Sequence, residues 1–266
     1  MKLIVLGSGT SVPHAKRSSS AYWVESSGRT LLMDCSTSAI TRILAEGLDW
    51  ITLDSIWISH FHLDHCGGLA PFLAGAKHSS EMKKRTKPLR IFGAEGLRKL
   101  LDGFNEVNNY KLFEQPFPLE IVEIESLEKF EIAPGLEAVA MSTPHTDESH
   151  AIHLRDAEGA TLVYTADTGF TETLSAFARH VDLLVIDASF PKSKPSEKHL
   201  EFSEAMYVIR KAEPNRAVVT HLYPEWDGVD FERELENFSV PCEVIQALDG
   251  LALNIRNSEE RKAKNV

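Results

Sequence analysis

One short stretch of this chain, residues 59–68, concentrates side chains that bind metal ions. It reads SHFHLDHCGG and places three histidines and one aspartate within six consecutive positions. Neutral imidazole and carboxylate are ligands that zinc, manganese and iron accept, and a site without thiolate keeps coordination positions open for water. The stretch therefore predicts a catalytic metal centre, with a run of surface histidines that hold no metal as the alternative.

The element before these side chains determines how they are presented. Residues 55–58 are rich in β-branched and aromatic side chains, and polar residues and two glycines follow, which is typical of a strand that ends. Successive side chains of an extended backbone alternate sides, so His60 and His62 point the same way and can bind one cation. Asp64 and His65 come just after, where the chain must turn, and can reach a second cation.

Strand-like and helical segments alternate along the chain without a repeat or a low-complexity linker. By themselves they indicate only a mixed α and β protein. Helical periodicity is clearest in residues 39–46, 68–76, 96–104 and 202–212. The predicted strands cover residues 2–6, 21–25, 30–34, 55–59, 89–92, 136–141, 151–154, 161–165, 183–186, 217–220 and 251–255.

Three further candidate ligands stand where later strands end, and a rigid scaffold presents functional side chains from such loops. His145 follows residues 138–141, Asp167 follows residues 162–164, and His221 follows residues 217–219. Taken singly, His145 could be a turn histidine after proline and Asp167 could cap a helix. Beside the motif that begins at His60, metal ligation is the favoured interpretation.

The His-x-His-x-Asp-His pattern after an apolar strand resembles the signature of the metallo-β-lactamase superfamily. The start of the chain, LGSGT at residues 6–10 with Pro13 and Arg17, then LLMDC at residues 31–35, is similar to the opening of the ribonuclease Z-like branch. His145, Asp167 and His221 fall in the order in which that branch supplies its remaining ligands. Each feature is weak in isolation, and their joint occurrence in this order carries the resemblance.

This resemblance implies an α/β fold, the αββα four-layer sandwich of two mixed β-sheets flanked by helices. It also implies two divalent metal ions, with zinc expected and manganese or iron as alternatives. A water or hydroxide held between the ions would be the nucleophile, because the ions lower its pKa. Asp167 would bridge the ions, and the other implied ligands are His60, His62 and His145 for one ion and Asp64, His65 and His221 for the other.

The same branch implies a residue that donates a proton. Residues 183–190 resemble a segment that usually reads His-Glu-Ala-Thr-Phe, and His199 stands where the branch carries a histidine just before a helix. In the branch that histidine protonates the leaving oxygen and an acidic residue orients it. His199 and Asp187 are the counterparts here and, with the ligand Asp64, form the predicted catalytic set. The chain departs from the pattern at Ile186, Asp187 and Ser189, and a surface histidine is the alternative for His199.

Length, composition and charge narrow the class of protein. A chain of 266 residues with 43% hydrophobic residues can bury a sizeable core, and we expect one domain over residues 1–256 and a charged tail at 257–266. No apolar stretch is long enough to cross a bilayer. Three scattered cysteines favour the cytoplasm over an oxidising compartment. A net charge of -11 argues against tight non-specific binding to nucleic acid, although the basic run at residues 83–87 is either a solvated loop or an edge that steers phosphates.

The segment between His145 and Asp167 bears on the size of the substrate. In the branch, ribonucleases that trim precursor tRNA carry a long clamping arm there, whereas the pattern here predicts a single tight hairpin. The chain thus resembles the compact phosphodiesterases of the branch. We expect a small nucleotide or sugar phosphodiester as substrate, with RNA as a less favoured partner, and the resemblance also allows a homodimer.

Two other activities remain as alternatives, a ribonuclease Z-type tRNA 3′-end endonuclease and a glyoxalase II-like thiolester hydrolase. Thiolester hydrolysis would leave His199 without a role and usually brings a helical C-terminal domain that we do not expect here. β-Lactam hydrolysis is disfavoured, because Asp167 stands where those enzymes usually carry a cysteine or lack the bridge. A degenerate binding module would have lost a ligand, and every implied ligand is present.

Overall fold

Two mixed β-sheets pack face to face in this protein, with helices on both outer sides. The computed structural model describes residues 1–257. Each sheet has seven strands, so the predicted αββα four-layer sandwich is confirmed. The predicted tail lies outside the described residues from position 258 onward, and the single domain over residues 1–256 stays a prediction.

Strands predominate among the secondary-structure elements of residues 1–257. Strands β1 to β14 are Lys2–Gly7, Ala21–Ser26, Arg29–Met33, Ser55–Ile58, Leu89–Gly93, Leu119–Glu123, Lys129–Ala133, Leu136–Ser142, His150–Asp156, Thr161–Tyr164, Leu183–Asp187, Arg216–Thr220, Glu243–Gln246 and Ala252–Asn254. Helices α1 to α7 are Ala39–Ala45, Leu63–Cys66, Leu69–His78, Leu97–Glu106, Thr173–Phe177, Phe202–Ala212 and Phe231–Leu235. Three short 3₁₀ helices are Trp50–Thr52, Met82–Lys84 and Pro224–Trp226.

Both sheets combine an antiparallel half with a parallel half. The first sheet has the order β14-β1-β2-β3-β4-β5-β6, and its strands run parallel from β3 to β6. The second sheet has the order β13-β12-β11-β10-β9-β8-β7 and is parallel from β10 to β13. Parallel strands end at the same edge of a sheet, so the loops that follow β10 and β12 lie at one edge of the second sheet.

The apolar side chains alternate between the core that joins the sheets and the cores beneath the helices. Along β1, Leu3 and Val5 lie in the core between the sheets, whereas Ile4 and Leu6 pack under the helices of the first sheet. The helices of the second sheet cover a third cluster, which includes Phe202 of α6. Because both faces of the central strands are buried, these strands read as nearly continuous apolar runs.

Long periodic elements match their predictions, and the elements that were missed are all short. Helix α6 occupies the predicted residues 202–212, since its apolar stripe is regular over three turns. Strands β6, β7 and β13 and helices α2, α5 and α7 were not predicted, and each is five residues or fewer. At that length a helical and an extended period cannot be told apart.

Part of the basic run at residues 83–87 has a structural role. The Arg85 guanidinium donates to the carbonyl oxygens of Ile51, Lys87 and Pro88 at 2.5–2.9 Å. The Lys87 ammonium lies 2.8 Å from the Asp54 carboxylate. These two cations hold the segment against the strands beneath it, and the other two cations of the run, Lys83 and Lys84, are exposed.

Within the described residues no helix is long and apolar enough to span a membrane. The three cysteines Cys35, Cys66 and Cys242 are all unpaired thiols.

Gly68, the residue before α3, tests how closely the segment that carries residues 60–65 packs against the rest of the protein. A Cβ at this position would lie 2.1 Å from the carbonyl oxygen of Ser36 and 2.7 Å from that of Cys35, both of which are backbone atoms. We therefore expect Gly68→Ala to lower the free energy of unfolding by about 2 kcal/mol or more, measured by urea denaturation in chelator.

Gly75 of α3 provides the matched control, because a Cβ there meets nothing within 4 Å. Gly75→Ala should raise the free energy of unfolding by about 0.5–1 kcal/mol, as alanine is the better helix former. Equal effects of the two substitutions would contradict the close approach at Gly68.

Candidate metal centre

Loops that follow four different strands converge on one cluster of imidazoles and carboxylates. On the side of the first sheet, the segment after β4 supplies His60 and His62 from its loop and Asp64 and His65 from the short helix α2. The second sheet supplies the other three residues, with His145 after β8, Asp167 after β10 and His221 after β12. The structure thus brings together all seven predicted ligands, although they are up to 161 positions apart in the chain.

The first group of potential ligands surrounds His145. Its Nε2 lies 3.1 Å from Nδ1 of His62 and 3.8 Å from Oδ2 of Asp167, and Nε2 of His60 also lies 3.8 Å from that oxygen. One nitrogen or oxygen from each of these four residues lies within 4.8 Å of the others. Donor atoms this close around a common point could hold one divalent cation.

The second group lies on the other side of Asp167. Its members are Asp64, His65 and His221, with both histidine Nε2 atoms 3.5–3.7 Å from Oδ2 of Asp64. Asp167 places Oδ1 3.3 Å from Nε2 of His65 and Oδ2 3.2 Å from Nε2 of His221. Since Asp167 contacts both groups, its carboxylate is suited to lie between two ions.

Several of these atoms lack the partners that buried polar atoms normally have. Among residues 1–257, Nε2 of His60, Nε2 of His65 and Oδ1 of Asp167 are buried without a hydrogen-bond partner. Leaving such atoms unsatisfied costs free energy, and lone pairs that converge on one point are what a cation requires. The donor set therefore fits divalent metal ions.

The charge states of Asp167 and His60 suit the binding of a metal ion. Burial raises the pKa of Asp167, but the nearby imidazoles of His221, His65 and His60 outweigh it and hold this pKa well below its ordinary value. Burial and the neighbouring His65 lower the pKa of His60 well below its usual range. An ionised carboxylate and a neutral imidazole are the forms in which these side chains bind metals.

Asp34, at the end of β3, supports the second group from behind. Its carboxylate accepts hydrogen bonds from the backbone N–H and the hydroxyl of Ser59, at 2.8 and 3.0 Å, and from the Tyr164 hydroxyl at 2.7 Å. It also lies 2.7 Å from Nδ1 of His65, which makes Nδ1 the protonated nitrogen and directs the Nε2 lone pair at the cluster. Tyr164 belongs to the second sheet, so this carboxylate ties the sheets together beneath the site.

Backbone strain accompanies this placement. Asp34, Ala166 and His221 adopt positive φ angles of 59°, 52° and 59° at the ends of β3, β10 and β12. Non-glycine residues in this region cost about 1–2 kcal/mol each, and such strain is typical of functional loops. At Gly169 a Cβ would lie 2.1 Å from the carbonyl oxygen of Glu197, so glycine lets the loop before His199 approach Asp167 closely.

Asp187 and His199 form a pair beside the cluster. Nδ1 of His199 lies 3.1 Å from Oδ2 of the fully buried Asp187. The ring of His199 stacks on that of His221 with centroids 5.3 Å apart and planes 13° apart. Burial lowers the pKa of His199, but the hydrogen bond and charge of Asp187 raise it above its ordinary value. The imidazole thus keeps its proton more readily than a free histidine.

The sequence did not indicate several residues that shape the site. Tyr223 stacks on Phe190 with centroids 4.6 Å apart and turns the edge of its ring toward His199. Tyr164 and Ser189 act through hydrogen bonds to Asp34 and Asp187. Ser189 could have been found because it lies in residues 183–190, the segment that resembles the family motif. No sequence pattern indicates the two tyrosines, because their contacts form only when distant parts of the chain meet. The thiol of Cys66, next to the ligand loop, donates its S–H to the carbonyl of Phe61.

A family model described as "Anti-Pycsar protein Apyc1" matches residues 1–238 of this chain. The chain belongs to this family. Among curated relatives, the ribonuclease Z of Clostridium acetobutylicum is 24% identical over 296 residues, which covers 89% of this chain and 92% of the relative.

Solved structures share the fold of the whole chain. The metallo-β-lactamase fold protein YhfI from Bacillus subtilis matches with a TM-score of 0.76 and 21% identity, over 95% of this chain and 98% of that one. A diphosphatase from the PhnP family matches with a TM-score of 0.73 and 20% identity, over 95% and 97%. The predicted metallo-β-lactamase superfamily, ribonuclease Z-like, is confirmed, and the protein is a hydrolase with a cluster suited to divalent metal ions.

Metal content tests the shared position of Asp167. After removal of metals and resupply of zinc or manganese, we expect two ions per chain by elemental analysis. Asp167→Ala should bind neither ion tightly, because this carboxylate contacts both ligand groups.

Asp54→Asn serves as the control for loss of a buried carboxylate, since Asp54 lies in the segment below the basic run and outside the cluster. It should retain both ions. One ion in the resupplied wild type, or full occupancy in Asp167→Ala, would refute the two-ion assignment.

Proposed function

We propose that this protein is a phosphodiesterase that hydrolyses a small nucleotide or sugar phosphodiester with the help of two divalent metal ions. The observation that carries the proposal is the Asp187–His199 pair, which stands beside the ligand cluster with its histidine stacked on His221. A hydrolase whose substrates have good leaving groups, such as a thiolate, does not need such a proton donor, whereas the alkoxide of a phosphodiester does. The protein is proposed to act in the cytoplasm, as its scattered cysteines predict.

The ligand cluster assigns a role to each of its seven residues. One ion would be held by His60, His62 and His145. The other ion would be held by Asp64, His65 and His221, and Asp167 would contact both ions. When bound, such ions supply Lewis acidity toward phosphoryl oxygens and make a water between them acidic enough to lose its proton at neutral pH. Zinc suits the predominance of imidazole, and manganese or iron fits the carboxylates.

His199 would protonate the leaving oxygen. Its Nδ1 is engaged by Asp187 at 3.1 Å, so Nε2 is the nitrogen that can donate to a substrate. Asp187 is buried, holds the ring in one orientation and raises the pKa of His199. A raised pKa favours the protonated imidazole, which is the form that acts as a general acid.

Relatives named ribonuclease Z make a tRNA 3′-end endonuclease the second candidate function. The hairpin of β9 and β10 is the element between His145 and Asp167, and no further strand or helix lies between them in the chain. The alignment with the Clostridium acetobutylicum enzyme runs over 296 residues and so exceeds the 266 residues of this chain, which means that the relative has segments without a counterpart here. These observations, together with the net charge of -11, favour the small substrate.

Removal of the His199 imidazole should separate phosphodiester from thiolester hydrolysis. An alkoxide is a poor leaving group, and loss of a positioned general acid typically costs about 10²–10⁴-fold. His199→Ala should lower kcat for an alkyl diester by that order and cost less for a p-nitrophenyl diester, whose leaving group is stable as an anion.

Metal content of His199→Ala should equal that of the wild type. His180→Ala, which removes an exposed histidine that contacts Glu213 and lies outside the ligand cluster, should leave kcat unchanged on both diesters. If His199→Ala has full activity on both diesters, His199 is not in the active site and the thiolester hydrolase becomes the better interpretation.

A comparison of substrates tests the size preference. The metal-loaded protein should show a higher kcat/KM for a small diester, among cyclic nucleotides and bis-p-nitrophenyl phosphate, than for a precursor tRNA, because phosphoryl chemistry alone provides no grip on a distant part of the RNA. If 3′-end trimming of the tRNA has the higher kcat/KM, the endonuclease is the function. A glutathione thiolester in the same panel provides the comparison for the third activity.

A further inference from the structure

Ser189 lies between the Asp187–His199 pair and the metal-binding cluster and contacts both. It follows β11, is fully buried, and its hydroxyl oxygen lies 2.6 Å from Oδ1 of Asp187. The same oxygen lies 3.0 Å from Nδ1 of His221 and 3.2 Å from Nδ1 of His199. One hydroxyl thus contacts the proposed general acid, the residue that orients it and a proposed metal ligand.

The direction of these hydrogen bonds follows from what each group can donate. A hydroxyl has one proton and two lone pairs, and an ionised carboxylate can only accept. The proton of Ser189 therefore goes to Asp187, with which it makes the shortest of the three contacts. Its lone pairs remain to accept the Nδ1–H of His221 and to share the Nδ1–H of His199 with Oδ2 of Asp187, which lies 3.1 Å away.

This arrangement determines how His221 presents itself to the cluster. With Nδ1 protonated and bound to Ser189, the lone pair is on Nε2, which lies 3.2 Å from Asp167 and 3.5 Å from Asp64. Ser189 thus binds Nδ1 of His221 and directs its Nε2 at the cluster, as Asp34 does for His65. Unlike Asp34, it is at the same time bonded to the pair that handles the proton.

We propose that Ser189 is a positioning residue that couples the orientation of the metal ligand His221 to that of the general acid His199. This inference rests on the proposed phosphodiesterase function for its kinetic part and is independent of it for its metal-binding part. Removal of the hydroxyl should disturb both partners together. The fold should persist, because the backbone N–H of Ser189 still donates to Oδ1 of Asp187 at 2.8 Å.

The first test measures metal binding and needs no substrate. In Ser189→Ala, competition with a chelator should show about 10–100-fold weaker affinity for one of the two ions, with the other unchanged, as is usual when the group behind a ligating histidine is lost. Ser189→Thr keeps the hydroxyl and should restore that affinity. Ser175→Ala, which removes a partly buried hydroxyl on α5, should bind both ions as the wild type does. Wild-type affinity for both ions in Ser189→Ala would overturn the link to His221.

The second test measures the link to His199. With saturating metal, Ser189→Ala should lower kcat more for an alkyl diester than for a p-nitrophenyl diester and should leave KM nearly unchanged. Its effect on the alkyl diester should largely vanish in a His199→Ala background, because residues that act as a unit are not additive. Additive losses in the double variant would show that Ser189 does not act through His199. If the wild type cleaves no diester at all, the proposed function fails, while the metal-binding test still decides the link to His221.

Discussion

The structure depends on the cost of keeping Asp167 ionised in a buried position. A buried carboxylate without compensation would be strongly unfavourable, and here four imidazoles surround it, from His60, His65, His145 and His221. These imidazoles come from loops of both sheets, so they surround the carboxylate only when the sheets are correctly packed. The sandwich, the positive φ angles of the ligand loops and the dense hydrogen bonding behind them all serve this one arrangement.

Two further buried carboxylates aim the ligands from opposite sides. Asp34 belongs to the first sheet and orients His65 directly, and it takes a hydrogen bond from Tyr164 of the second sheet. Asp187 belongs to the second sheet and reaches His221 through the hydroxyl of Ser189. Each of these carboxylates has protein donors on both oxygens, which limits its freedom to move toward the cluster and become a ligand itself. These hydrogen bonds therefore keep Asp34 and Asp187 in supporting positions, while the other carboxylates and imidazoles face the cluster.

The cluster of candidate ligands could be predicted from the sequence because its members come soon after apolar strands and because four of them are nearly contiguous. The alternation of side chains in extended backbone explains why His60 and His62 can face one cation, and the structure places both next to His145. The supporting contacts could not be predicted in this way. Tyr164 is 130 positions from Asp34, and its contact exists only because β10 of one sheet lies across from β3 of the other. The helix α2 and the strand β13 were missed, and with four residues each they are too short for a period to distinguish helix from strand.

Because the candidate ligands are divided between the two sheets, the stability of the folded state would depend on the concentration of the metal ion. A cation held by these residues would fasten the segment after β4 to the loops after β8, β10 and β12. It would then cross-link two halves that are otherwise joined by apolar packing and a few hydrogen bonds. A ligand that binds only the folded state adds about 2.7 kcal/mol when its free concentration is a hundred times its dissociation constant. Scarcity of metal would then do more than stop turnover. It would raise the fraction of chains in which the two sheets separate and the protein unfolds. Proteases degrade unfolded chains, so the amount of the protein in a cell would fall when the metal is scarce.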